Sequence, residues 1–225
     1  MLPPKNFELP GLETAYHYRG AGLVSGDYCD LLSPDGETLY FMMGDVTGKG
    51  HAAAMLMSHL HAAFLSLLTP SADLVEVFSR ANRIFCESSL STQFATMFCG
   101  KIDPRGRVEY CLAGHPPPMV LRDGEVNRLE TAGIPLGMFC QQAYTLGRRE
   151  TVPGDLILLF SDGVTEATNP DSEFFGEDRL VSVLLQNSGA SAGDVVQAVV
   201  DDLSAFRASA EVADDVTVMA IRRLR

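Results

Sequence analysis

Two tight turns in the middle of the chain do most to restrict its fold. Asp103-Pro104-Arg105-Gly106 separates the apolar runs 94–102 and 107–112, and Asp123-Gly124 separates 118–122 from 125–129. A turn this short reverses the chain at once, so each pair must form an antiparallel hairpin; a parallel pair needs a long crossover. Further strands are expected over 14–19, 38–43, 156–160 and 216–221, each apolar enough to be at least half-buried. Helices are expected over 51–68, 72–90, 177–186 and 191–206. The first is rich in Ala, Met and Leu without β-branched residues. The second starts after a Ser71 cap, the third closes at Asn187 and Gly189, and the fourth opens on a Ser191/Asp194 capping box. Val195, Val196, Val199, Val200, Leu203 and Phe206 form one face of that fourth helix. Strands and helices arrive in blocks, which predicts an α+β fold with helices packed on antiparallel sheets. Helix 51–68 is apolar nearly all round, which predicts a place between layers, with Met55 and Met57 as core filler. Residues 1–12, with three prolines, read as an extended lead-in, and 13–225 as a single domain.

Composition narrows the function classes. Hydrophobic residues make up 46% of the 225 and charged residues 20%, enough apolar material for a real core. The formal net charge of -12 excludes the basic face a nucleic-acid binder needs. Cys29, Cys86, Cys99, Cys111 and Cys140 are scattered without a Cys-x-x-Cys pair, which predicts buried thiols in a reducing compartment and neither a disulfide framework nor a zinc site. No apolar run reaches the roughly 18 residues of a membrane span. The start, Met1-Leu2-Pro3-Pro4-Lys5, is no signal peptide, so a cytoplasmic location is expected.

Chemical interest centres on aspartates at strand ends. Asp45 follows an apolar strand and precedes Val46-Thr47-Gly48-Lys49-Gly50; Asp162 follows 156–160 and precedes Gly163; Asp214-Asp215 stands immediately before the last strand. A strand end aims a carboxylate rigidly, and a neighbouring glycine lets backbone approach an ion. Taken singly, each placement is more often that of a turn or cap aspartate, and spacing does not bring them together. If they meet, two carboxylates ~4 Å apart repel by ~4 kcal/mol at an effective dielectric near ~20. Oxygen-only ligands then favour Mg²⁺, Mn²⁺ or Ca²⁺ over zinc or copper.

Six ordered motifs carry a resemblance over about residues 12–223. They are Ser25-Gly26-Asp27-Tyr28-Cys29-Asp30, Gly44-Asp45-Val46-Thr47-Gly48-Lys49-Gly50, Ala113-Gly114-His115-Pro116-Pro117-Pro118, Gly133-Ile134-Pro135-Leu136-Gly137, Ser161-Asp162-Gly163-Val164-Thr165-Glu166-Ala167 and Asp214-Asp215-Val216-Thr217. Together they resemble the metal-dependent protein phosphatases, the PPM superfamily, in its bacterial SpoIIE/RsbU-type branch. The resemblance implies a four-layer α-β-β-α sandwich of two antiparallel sheets flanked by helices, with two Mn²⁺ or Mg²⁺ ions at one edge. It implies Asp45 as the carboxylate bridging both ions, the Val46 carbonyl as a further ligand, Asp162 and Asp214 as ligands of one ion, and Asp27 acting directly or through water. Asp214 is chosen over Asp215 by analogy with an Asp-Asn form elsewhere in the superfamily. Ser25 and Cys29 stand where relatives carry Gly and an aromatic, and Lys49 where many carry His. Arg19 and Lys49 are the candidate phosphate contacts, against the reading of both as solvated surface residues.

The implied activity is hydrolysis of phosphoserine or phosphothreonine by activated water, without a phosphoenzyme. Relatives in this branch commonly act on a STAS-domain anti-sigma-factor antagonist and often follow a receiver, PAS or similar sensor, and the resemblance is compatible with a homodimer. A general phosphoprotein phosphatase and a pseudophosphatase that sequesters a phosphoprotein are the alternatives. A P-loop is rejected, because only three residues separate Gly44 from Gly48 and Lys49 is followed by Gly50. His59 and His61, two apart on a helix, point about 200° apart and cannot share an ion. His115, before three prolines, reads as a rigid loop element.

Overall fold

The computed structural model describes residues 2–4, 7–22, 25–48 and 50–224. The elements run β1 (Leu12–Arg19), β2 (Asp27–Leu32), β3 (Leu39–Val46), α1 (His51–Leu67), α2 (Leu74–Ser88), β4 (Ala95–Ile102) and β5 (Arg107–Ala113). They continue with β6 (Met119–Arg122), β7 (Glu125–Arg128), β8 (Gly147–Glu150), β9 (Leu156–Phe160), α3 (Asp162–Thr165), α4 (Gly176–Gln186), α5 (Ala192–Arg207) and β10 (Val216–Arg223). Every strand pair is antiparallel. The order is β1-β10-β9-β6-β7 in one sheet and β2-β3-β4-β5-β8 in the other.

The period of two along each strand sorts side chains into separate cores. On β3, Tyr40 and Met42 face α1 and α2, whereas Leu39, Phe41 and Met43 face the opposite sheet. On β10, Val218 and Ala220 face α4 and α5, whereas Met219 and Ile221 face inward. The layers are therefore α1/α2, sheet, sheet, α4/α5, the four-layer sandwich expected. Both hairpin turns form where expected, with Asp123 and Gly124 at φ 50 and 79. Leu9 is buried in the inter-sheet core just before β1. No helix among the described residues is long and apolar enough to cross a membrane.

Several local expectations change. β2 and β8 were not expected as strands: Asp27 and Asp30 interrupt the apolar residues of β2, and the four-residue Gly147–Glu150 carries no apolar alternation. Helix α1 lies on the outside of its sheet, with Met57 buried but Met55 74% exposed. Its uniform Ala/Leu/Met composition hides the one-sidedness that packing imposes. Asp73, not Ser71, caps α2, accepting from Val75 N at 2.8 Å. The Ser191/Asp194 pair caps α5 as expected, Ser191 Oγ accepting from Asp194 N at 3.0 Å.

The cysteines require a correction. Cys29, Cys99 and Cys111 are buried thiols, but Cys86 and Cys140 form a disulfide across 54 residues. The reason is tertiary. Buried Asn82 on α2 donates to Phe139 O at 2.9 Å and accepts from Gly137 N at 2.8 Å, laying segment 137–140 along the helix beside Cys86. Cysteine spacing therefore no longer argues for a reducing compartment.

Candidate active site

The site begins with strand register. Antiparallel pairing of β2 with β3 places Asp27 directly opposite Asp45, an arrangement of like charges that destabilises a sheet unless something offsets it. From the other sheet, β9 ends just before Asp162 and β10 begins just after Asp214 and Asp215. Ser161 N donates to Thr217 O at 3.0 Å, and Thr217 N to Ser161 Oγ at 3.0 Å, locking these two strand ends together. The hydroxyl of Thr217 donates to Asp27 Oδ2 at 2.5 Å, so a residue of one sheet holds a carboxylate of the other.

Two glycines set the close approaches. A Cβ on Gly163 would fall 1.8 Å from the Asp215 carbonyl oxygen, so only glycine lets the start of α3 lie against segment 214–215. A Cβ on Gly26 would meet Asp45 Oδ1 at 2.8 Å and the Val46 carbonyl at 3.0 Å. Glycine there keeps the two oxygens that the family resemblance pairs from being covered.

The carboxylates lie near enough to raise one another's proton affinity. Burial pushes Asp27 up to about 7, with Asp215 and Asp162 adding to the rise and hydroxyl bonds from Thr217 and Ser161 opposing it. Burial likewise pushes Asp45 up to about 8, reinforced by Asp27, Asp162, Asp214 and Asp215. Yet among the described residues no three carboxylate, imidazole or thiol side chains converge tightly enough to chelate one ion. The fold supplies a ring of mutually repelling carboxylates, not a closed chelate. Such a donor set fits a hard divalent cation, whose charge cancels the repulsion and whose preferred ligands are oxygens.

The doublet divides its labour. Asp215 is buried and accepts from Ala21 N at 2.7 Å, Ser25 Oγ at 2.5 Å and Gly26 N at 3.0 Å, tying these three residues to the end of β10. Asp214 is exposed and turns one oxygen back to Asp215 N at 2.9 Å. Sequence alone does not separate the two, because both are strand-end aspartates. Truncating Asp215 to Ala should leave the three donors without this acceptor, at a cost of about 1–3 kcal/mol. Chemical denaturation would read that loss, and an unchanged midpoint would mean that the loop is held by something else.

A cleft of about 420 Å³ opens beside Asp45 and Asp162, also lined by Thr96, His115, Glu166 and Glu177. His115 is buried, its Nδ1 3.0 Å from Thr96 Oγ1, and burial pushes it down to about 3, so it contributes a neutral wall. Glu177 gave no sequence signal, since it reads as an ordinary helix N-terminal acid; Glu166 lay within a quoted motif without a role. A larger cavity of about 580 Å³ lies away from these aspartates, along β4, β5 and β8. Its Lys101, Arg107 and Arg148 are paired with Glu109 and Asp103. Arg19, expected at the phosphate, lines a different pocket beside α5. Lys49 lies outside the described residues.

A family model described as Stage II sporulation protein E (SpoIIE) matches residues 35–224. The phosphoserine phosphatase RsbU of Bacillus subtilis (strain 168) is 30% identical over 203 residues, covering 89% of this chain and 60% of that protein. The chain thus spans less than two thirds of that relative. Among solved structures, the RsbU and RsbW domains of a Mycobacterium tuberculosis protein superpose with a TM-score of 0.81 at 28% identity, covering 96% of this chain and 62% of that one. The catalytic domain of the serine threonine protein phosphatase PstP in complex with 2 manganese ions superposes at 0.68 with 20% identity, covering 95% and 99%. The first match bears on ancestry and the last on fold alone. With the motifs in order, the two-sheet sandwich formed and the family model spanning most of its length, this chain belongs to the SpoIIE family.

Proposed function

We propose that this domain is a metal-dependent serine/threonine phosphoprotein phosphatase that hydrolyses phosphoserine. The observation that carries the reading is the meeting of Asp27 and Asp45 from one sheet with Asp162 and the 214–215 doublet from the other, close enough to raise one another's proton affinity. Asp45 would bridge two ions with the Val46 carbonyl beside it, Asp162 and Asp214 would hold one of them, and Asp27 would act directly or through water. When bound, two Mn²⁺ or Mg²⁺ ions supply positive charge for the phosphoryl oxygens and acidify water. The protein's own part is to hold these oxygens rigidly at strand ends and keep His115 uncharged. Glu166 and Glu177 would repel a phosphoryl group from the cleft rim and so direct it towards the ions.

A phosphoserine substrate is in keeping with the name of the relative RsbU, a phosphoserine phosphatase, and the branch resemblance extends the proposal to a phosphorylated STAS-domain anti-sigma-factor antagonist. A general phosphoprotein phosphatase is the second reading. Upstream sensor or receiver domains fit a chain that spans 60% of that relative.

The test is Mn²⁺-dependent hydrolysis of an aryl phosphate and of phosphorylated STAS proteins by wild type and Asp162→Asn. The substitution should lower turnover by a factor on the order of 10² or more, as loss of a group stabilising transition-state charge does, with the fold retained by circular dichroism. Excess chelator should stop the wild type. Full turnover in the variant would overturn the site assignment; metal binding without turnover on either substrate would favour a sequestering protein.

A further inference from the structure

On the α5 side of the β1–β10 edge, His17 and Arg19 of β1 face Leu203, Ser204 and Arg207 of α5 across a pocket of about 200 Å³. Among the described residues no carboxylate lines it, although the chain carries a net charge of -12. Arg207 is 9% exposed as a residue; no hydrogen bond or ion pair joins its guanidinium to another described residue, and its nitrogens open into the pocket. Arg222, equally buried, has protein acceptors for its two terminal nitrogens, donating to Gly154 O at 2.9 Å and Ser188 O at 3.2 Å, although its Nε has none. Arg179, on the neighbouring helix, is bidentate to Asp202 at 2.7 and 2.9 Å. Arg19 also lacks an ion pair among the described residues.

A guanidinium that opens only into a pocket, with no protein acceptor, loses part of its hydration, and a second cation facing it adds repulsion. Burial first, and then Arg19, lower the proton affinity of Arg207; the same two causes act on His17. The C-terminal end of α5 accounts for one cation in its last turn, but not for a second one across the gap on β1. What would satisfy both is an anion with several acceptor oxygens, which planar guanidinium forks bind in pairs. The volume holds a tetrahedral oxyanion and some waters, each of about 30 Å³.

We propose that Arg19 and Arg207, with Ser204 and His17, form a binding pocket for an oxyanion such as phosphate, separate from the aspartate cleft. Among the described residues the two sites share no lining side chain. Arg207 does border a smaller cavity of about 90 Å³ that reaches Glu166 and Asp214, so the oxyanion would sit one layer behind the cleft. The ligand is either the free ion or a phosphoryl group carried on a polypeptide; the chemistry is the same.

The experiment uses the full chain in excess chelator, so that phosphate cannot bind through metals and the result does not depend on the phosphatase reading. Inorganic phosphate is titrated by calorimetry and by the arginine Nε–Hε resonances. Wild type should bind saturably and shift the Arg207 resonance. Arg207→Met should weaken binding by about tenfold or more, the factor that a lost charge-assisted contact commonly represents. The exposed Arg19→Met, which risks no core residue, should weaken it as well, and Arg179→Met should not. Absence of saturable binding to wild type, or equal affinity in wild type and both pocket variants, would overturn the proposal. A phosphoserine peptide binding more tightly than inorganic phosphate would assign the pocket to a polypeptide ligand, and equal or weaker binding to the free ion.

Discussion

Asp45→Asn is expected to abolish hydrolysis while raising the thermal midpoint of the metal-free protein. Asp45 lies opposite Asp27 in the β2–β3 register, and Asp162, Asp214 and Asp215 all press its proton affinity upward. Two carboxylates ~4 Å apart repel by ~4 kcal/mol at an effective dielectric near ~20. Partial exposure and proton uptake reduce that, leaving a net relief of about 1–2 kcal/mol when the charge is removed, or roughly 2–8 °C for a chain of this size. Differential scanning calorimetry in chelator would measure it. Saturating Mn²⁺ should then raise the midpoint of wild type, since a ligand that binds only the folded state stabilises it, and should do much less for the variant. A lower midpoint for the variant in chelator would show that Asp45 makes a stabilising contact outweighing the repulsion. The opposite signs for activity and stability are the mark of a residue retained for chemistry.

Gly163→Ala should do the reverse of a mild substitution. The added Cβ would lie 1.8 Å from the Asp215 carbonyl oxygen, a backbone atom that no side-chain rotation can move aside. Relief requires segment 214–215 or the start of α3 to shift, and both carry proposed ligands. Overpacking of this kind costs about 1–3 kcal/mol or more, and activity should fall with it. Gly189→Ala, at a position with nothing within 4 Å and no positive φ, is the matched control and should be near neutral. If both variants unfold at the same denaturant concentration as wild type, the close approach at Gly163 is not a constraint.

These two expectations separate what was legible in the chain from what was not. The hairpins at 103–106 and 123–124 were readable because turn chemistry is local: the residues that need positive φ are the residues that form the turn. Strands β3, β9 and β10 were readable from apolar runs that end in Asp45, that stop short of Asp162 and that follow Asp214-Asp215. Strand β2 was not, because the aspartates at 27 and 30 break its apolar pattern, and it becomes a strand through pairing with β3 and burial between layers. The one-sided exposure of α1 and the Cys86–Cys140 bond were equally hidden, since each depends on which face of a helix meets a distant segment.

The aspartates show the same boundary most clearly. Residue type, strand-end placement and family motifs named Asp27, Asp45, Asp162 and Asp214 from the sequence alone. Tertiary structure alone decided that Asp27 faces Asp45 in register, that Thr217 of one sheet holds Asp27 of the other, and that Asp215 is a loop anchor while Asp214 stands exposed. It alone decided that Arg19 turns towards α5, away from the cleft. The physical reason is that composition and period govern which residues go to a strand end or a helix face, whereas electrostatic coupling falls off with distance through space. Only the packed chain sets those distances, as between Ala21 and Asp215, 194 residues apart.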